Sequence, residues 1–391
     1  MARQFSGARA HRSGRHAGRA RAAVAAALAL GLVAGCGTEF KLPTERREVR
    51  TIPGAGTYQM ITTRTGLPGI QDVLLAPSGE LFLLFQRGGT GRVLEFPPGL
   101  TRPLSTTFPG LLNPGAICFG ANHLFVLDQG DTGAARTDLE SAYTADCGTI
   151  GGFSRPIVDL SSYWHVREYQ LNGGTPLSGF TDTLFAWVNG VAADQQGRVY
   201  VSGVLMFCDV DPFDSRIKTL ATQFRVYRYQ HGPATGSVIG DNWRRDPTWE
   251  VIEGTGIGSA GDPRGMQWAP AAGEALYFAD FGNNEIQKLA DPNSFGSSYL
   301  LDQGGVGTDS LPLAHPVDVA IDSAGYVYVA DTGNRRVLRF APDGSFKQRV
   351  DIEPDESDLP LDDAVAVAAG NEQVYVADRG RAEVVRYRRR K

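Results

Sequence analysis

Residues 313–340 read LAHPVDVAIDSAGYVYVADTGNRRVLRF, and residues 360–387 read PLDDAVAVAAGNEQVYVADRGRAEVVRY. Each runs through an apolar strand, a turn, a strand ending in Val-Ala-Asp, a Gly-containing turn and a third strand. The copies lie about 47 residues apart, from Asp331 to Asp378. A repeat of that period built from short strands predicts a β-propeller, in which each repeat is one blade. The first copy serves as a template: inner strand A over 316–322, B over 325–330, C over 335–341 and D over 345–352. Small and β-branched residues dominate A and B, as strands covered on both faces require. Asp331, Thr332, Gly333 and Asn334 make the B–C turn, where Asp and Asn satisfy backbone groups locally and Gly can take positive φ.

The template recurs upstream. Blades open near 70 (IQDVLLAPSGELFLLF), 114 (PGAICFGANHLFVLDQG), 188 (VNGVAADQQGRVYVSG) and 262 (DPRGMQWAPAAGEALYFADFGNNEIQKL). With the two opening copies this makes an all-β, six-bladed ring. Blades one and three lack the Asp after strand B; Phe85 and Gly203 stand near that place. The last repeat stops after its third strand, at Tyr387, which would leave an open sheet edge. The segment near 50–64, with Thr57-Tyr58-Gln59-Met60-Ile61-Thr62 at its centre, is expected to supply the missing strand and close the ring.

These residues resemble the NHL repeat family, most closely over 313–352, then over 262–290 and 361–387, and more weakly in the first three blades. The resemblance implies an NHL-type propeller and interaction scaffolding more often than catalysis. It also admits enzymes, since some NHL-type propellers are lyases holding zinc through histidines near the channel. Propeller lactonases use acidic and amide residues at the axis.

The N-terminus has a different composition. Residues 1–21 carry Arg3, Arg9, Arg12, Arg15, Arg19 and Arg21 and no acid, and residues 22–35 are small and apolar. About 20 apolar residues are needed to span a bilayer, so this shorter run reads as a secretory signal. It ends Leu32-Val33-Ala34-Gly35-Cys36, which resembles a bacterial lipobox. The expected organisation is a signal peptide over 1–35, a tether lipidated at Cys36 over 36–48, and the propeller over 49–391. Acyl chains anchor a protein without making it span. Gly37 rather than Asp follows the cysteine, which favours the outer membrane of the cell envelope.

Loss of residues 1–35 would take the formal charge from −5 to about −11. A mildly acidic surface argues against general nucleic-acid binding, which needs a basic field. Blades two and three exceed a plain blade, with the excess at about 131–160 and 204–223. Both insertions are expected to replace the B–C turn on one face, where long loops on a rigid scaffold commonly carry function. Cys147 lies in the first and Cys208 in the second, and in an exported protein they are a candidate disulfide, with three free thiols the alternative. Cys118, in an apolar strand, is expected to be a buried free thiol.

Candidate chemistry is sparse. Asp209, Asp211 and Asp214 in the second insertion form a candidate Ca²⁺ site. Their spacing matches no full Ca²⁺ loop, and with Arg216 they also read as a capped turn. No other cofactor is indicated. Beyond the leader the histidines are His123, His165, His231 and His315, which the template keeps apart. The channel mouth offers Asp72, Asn189, Arg264, His315, Asp318 and Asp363 as binding candidates, although any solvated channel shows mixed polar residues. Trp164, Trp187 and Trp268 are expected to pack blades, while Trp243 and Trp249 flank a loop and are expected to be partly exposed. The resulting expectation is a monomeric lipoprotein presenting a binding face to a protein or carbohydrate at the envelope. The alternative is a small-molecule lyase or hydrolase acting at the channel mouth.

Overall fold

The structure, a computed structural model, describes residues 58–390 apart from 131–162, 211–212, 215–217, 233–241, 255–258, 291–297, 302–311, 352–360 and a few shorter gaps. Six sheets succeed one another along the chain, antiparallel except where Ser259–Ala260 pairs parallel with the outer strand of the third, and no α-helix occurs among the described residues. In each sheet the first strand of the repeat lies innermost. These A strands run Ile70–Leu75, Pro114–Gly120, Phe185–Ala193, Pro263–Ala269, Pro316–Ile321 and Ala364–Gly370. Each packs against the next, and the sixth packs against the first, so the ring is closed.

Apolar residues fill the wedges between blades. The wedge between blades six and one contains Ile70, Val73, Leu83 and Phe85 from one side and Ala366, Ala368, Ala377 and Val384 from the other. Small residues in strand A let neighbouring blades converge on the axis, while larger ones fill the widening gap outside.

Blade five follows the template closely: Pro316–Ile321, Val327–Asp331, Arg336–Phe340 and Phe346–Arg349. The Asp ending strand B is a structural anchor. Asp331 is fully buried, accepts from the Ala314 N–H at 2.7 Å and pairs with Arg336 Nε at 2.6 Å. Asp128, Asp280 and Asp378 repeat this role, capping N–H groups of Leu112 and Asn113, of Gly261 and Asp262, and of Asp362 and Asp363. Each ties its B strand to the connection entering its own blade. Phe85 pairs with Ile70, and Gly203 with Val188, where the other blades place this Asp.

Ring closure is as the sequence predicts. Strand Tyr58–Thr65 pairs antiparallel with Glu383–Arg389, from Tyr58 opposite Arg389 to Thr65 opposite Glu383. Tyr58 is buried, and its hydroxyl lies 3.0 Å from that of Tyr328 in blade five. Strand one thus completes blade six and seals it against its neighbour.

Blade three departs from the expected loop. Its B and C strands run Val199–Val210 and Lys218–His231 and stay in register from Val199 opposite Tyr229 to Val210 opposite Lys218. Strand A pairs with this hairpin only as far as Leu205, and strand D (Trp243–Glu253) only from Arg225 onward. Residues 206–223 are therefore mostly a two-stranded ribbon that outruns its blade. The alternating β-rich composition of the segment continues the ladder where a turn was expected. Between the ribbon strands in sequence, Phe213 is 98% exposed. The first insertion and Cys147 lie outside the described residues, as do Asp211 and the side chains of Cys208 and Asp209; Asp214 is exposed.

Candidate axial site

Strand A carries a bulge near its start in every blade. Just past the bulge, one position per blade lies at the same level of the ring: Asp72, Ala116, Gly190, Gly265, Asp318 and Ala366. Only blades one and five place an acid there. Asp72 accepts from its own neighbour, Val73 N–H, at 2.7 Å and from Ile117 N–H of blade two at 2.8 Å. Asp318 repeats this, accepting from Val367 N–H of blade six at 2.8 Å. Each carboxylate thereby latches its blade to the next. Gln267 does the same for blades four and five, bonding both Ile321 N–H (2.9 Å) and the Ile321 carbonyl (3.3 Å).

The two acids stand at one end of a cavity of about 440 Å³ that reaches the turns following the inner strands. All six blades contribute. Ile117, Val191, Met266, Val319 and Val367 form apolar walls, and Pro77, Asn122, Gln195 and Pro270 line the turn end. Gly265 is required for this arrangement, since a Cβ there would fall 2.1 Å from Asp318 Oδ1.

Burial sets the electrostatics. Removal from water pushes the Asp72 carboxyl up to about 7, against the lowering effect of its two backbone donors. Asp318 is pushed well above the ordinary carboxylate range, first by burial and then by the negative charge of Asp72. Two neighbouring carboxylates drawn partly out of water cannot both ionise cheaply, so the pair keeps a proton that exposed acids would have lost. Cys118 also lines the cavity, but burial and the Asp72 charge push its thiol up, away from the nucleophilic thiolate.

The six channel-mouth candidates thus separate into two groups. Asp72 and Asp318 line the cavity. Asn189, Arg264, His315 and Asp363 sit before that level and engage one another or local partners. Asn189 Nδ2 donates to Asp262 at 2.9 Å, and Arg264 pairs with the same carboxylate at 2.8 Å. The Arg264 guanidinium lies 3.4 Å from the Phe281 ring centroid, and His315 packs against the same ring with centroids 4.6 Å apart. Asp363 accepts from Arg379 at 2.9 Å.

The histidines correct the template in one respect. His123 and His231 meet at buried Glu168, His123 Nδ1 at 2.6 Å and His231 Nε2 at 3.4 Å. Register brings the start of strand B beside strand C in blade two, and His231, the last residue of strand C in blade three, reaches the same carboxylate. Among the described residues, no group of three His, Cys, Asp or Glu has the geometry to hold a metal ion. Trp243 and Trp249 are also buried rather than partly exposed. Both lie on strand D of blade three, where Trp243 donates to Ser178 at 3.1 Å and Trp249 packs edge-on against Tyr200.

Fold and site together define a six-bladed β-propeller with an axial cavity floored by two half-buried carboxylates. Its fifth blade is an NHL repeat: residues 313–340 match the model of that repeat. Solved structures similar to the chain are also found. Virginiamycin B lyase from Staphylococcus aureus is 10% identical, with 85% of this chain and 99% of that one covered at a TM-score of 0.45. A luciferin-regenerating enzyme is 13% identical over 84% and 95%, with a TM-score of 0.48. A gluconolactonase from Xanthomonas campestris is 14% identical over 84% and 86%, with a TM-score of 0.47. No curated protein matches the sequence.

Proposed function

We propose that this chain is an exported propeller, anchored to the cell envelope through lipidated Cys36, that takes a small molecule into its axial cavity. The observation that carries this reading is the pair Asp72 and Asp318, both half-buried and both lining a concave space of ligand size. Their bonds to backbone N–H groups fix them in place, as a binding or proton-transfer site needs. A carboxyl poised near neutral pH can give or take a proton during turnover, which suits lyase or hydrolase chemistry. A purely structural role as latches between blades is the competing account. Small-molecule screening by native mass spectrometry on the wild type and on Asp72→Asn and Asp318→Asn separates the two. Ligands that bind the wild type and lose affinity in both variants support the site. Ligands indifferent to both substitutions, with the variants merely less stable, would leave only the latches. Labelling with a radioactive fatty acid, absent from Cys36→Ala, tests the anchor.

A second reading is favoured by one observation, the ribbon over residues 206–223 that outruns blade three. On that reading the disc presents the ribbon to a protein or carbohydrate at the envelope. Cross-linking in native envelopes, with and without the ribbon, tests it; identical cross-link patterns would sink it.

A further inference from the structure

The axial cavity also shows what kind of atom its ligand must present; this inference rests on the small-molecule reading above. Six backbone N–H groups stand at one level of the channel, one per blade: Val73, Ile117, Val191, Met266, Val319 and Val367. Their partners on strand B are Leu83, Val126, Val201, Phe278, Val329 and Val376, the same register position past the same bulge. In an antiparallel ladder that position sends every such N–H the same way, here toward the axis.

Four of the six are capped from within the chain. Asp72 takes Val73 and Ile117, at 2.7 and 2.8 Å. Asp318 takes Val319 and Val367, the latter at 2.8 Å. The other two, Val191 and Met266, belong to adjacent blades and both line the cavity. Among the described residues no side chain is bonded to either. Blades one and five use an Asp for this purpose, but blade three has Gly190 at that position. A Cβ on Gly190 would fall 2.1 Å from the Arg264 carbonyl oxygen, so blade three cannot supply its own cap. The Ser202 hydroxyl, buried and without a partner, stands 3.0 Å from the same point. Backbone donors facing a cavity require an acceptor, because an unpaired buried N–H costs about 1–3 kcal/mol.

Charge decides which acceptor. Among the described residues no Lys, Arg or His lines the cavity, and two acids occupy the same level, so an anion would meet repulsion with no counter-ion. We propose that the Val191 and Met266 N–H groups form a donor pair that receives a neutral carbonyl oxygen of the ligand, while Asp72 and Asp318 engage its hydrogen-bond donor. The ligand class is therefore a small uncharged molecule with a carbonyl and an adjacent N–H or O–H. For a substrate, the same pair would stabilise negative charge developing on that oxygen.

Three probes of similar carbon count test this on the full chain carrying ¹⁵N. δ-Valerolactam is neutral and offers a carbonyl and an N–H; pentanoate is an anion; piperidinium is a cation without an acceptor. The lactam is expected to shift the Val191 and Met266 amide signals at neutral pH, and pentanoate to leave them in place. Val191→Pro removes one donor without costing a ladder bond, and should weaken lactam binding about threefold to tenfold while sparing piperidinium. If that variant does not fold, the wild-type amide shifts decide alone. Lactam that leaves both amide signals unmoved overturns the proposal, as does pentanoate that moves them equally. Piperidinium alone perturbing the cavity would refute the donor pair but keep the small-molecule reading. No response to any probe would remove both.

Discussion

Blades five and three are built on one template and differ at two of its positions. Blade five has Asp331 at the end of strand B and Asp318 in strand A; blade three has Gly203 and Gly190. In blade five the two acids satisfy neighbouring backbone groups, and the strands end where the template ends. In blade three neither anchor exists, Gly190 lies against the Arg264 carbonyl, and strands B and C run on into a ribbon. The comparison teaches that the repeat residues hold the ring, and that departures from the repeat leave donors and surface available to other molecules.

The largest effect should come from breaking the regular part at its seam. Deleting 49–65 removes the outer strand of blade six and the buried Tyr58, exposes a full sheet edge, and should lower Tm by well over ten degrees or abolish soluble protein. An unchanged melting curve would mean that the ring closes without its clasp. Next comes Asp331→Ala, which leaves buried Arg336 without its carboxylate and should cost about 3–5 kcal/mol in denaturant unfolding. By contrast, replacing ribbon residues 206–223 with a short turn should change stability little, within roughly 0.5 kcal/mol, because most of that ladder pairs only with itself. A loss as large as that of Asp331→Ala would show that the ribbon belongs to the core.

The remaining effect is a slope with pH. Asp72 has a folded-state pKa raised to about 7 by burial, above its unfolded value. The folded state then holds the proton more tightly, so this contribution is fully present below pH 4 and is lost as pH rises through about 7. Unfolding free energy of the wild type should therefore fall across that window, and fall less in Asp72→Asn. Parallel pH profiles would show that the carboxyl is not perturbed.

How far the sequence could be read follows the same division. Val-Ala-Asp, Gly turns and the 47-residue period made blade five legible strand by strand, because each residue there serves a local backbone need. The clasp was legible because a three-stranded last blade is physically incomplete. The channel candidates were legible as types but not as a site. Asn189 and Arg264 come one residue before the level of Asp72 and Asp318, and the bulge in strand A turns that single step into a different end of the channel. Lining up the six A strands on the residue after the bulge would have isolated the two acids. His123 and His231 were kept apart by a template that describes one blade, whereas Glu168 joins them across two. The Val191 and Met266 donors carry no side-chain signal at all; their only trace is Gly190 at the position where blades one and five carry an acid.

The most direct test of the axial site is a pH titration of the aspartate side chains by carboxyl ¹³C NMR, with Asp72→Asn and Asp318→Asn to assign the signals. The account predicts a coupled pair, one member titrating near 7 and the other also well above the ordinary carboxylate range, each moving when its neighbour is replaced. Two independent titrations in the ordinary carboxylate range, near 4, would contradict it.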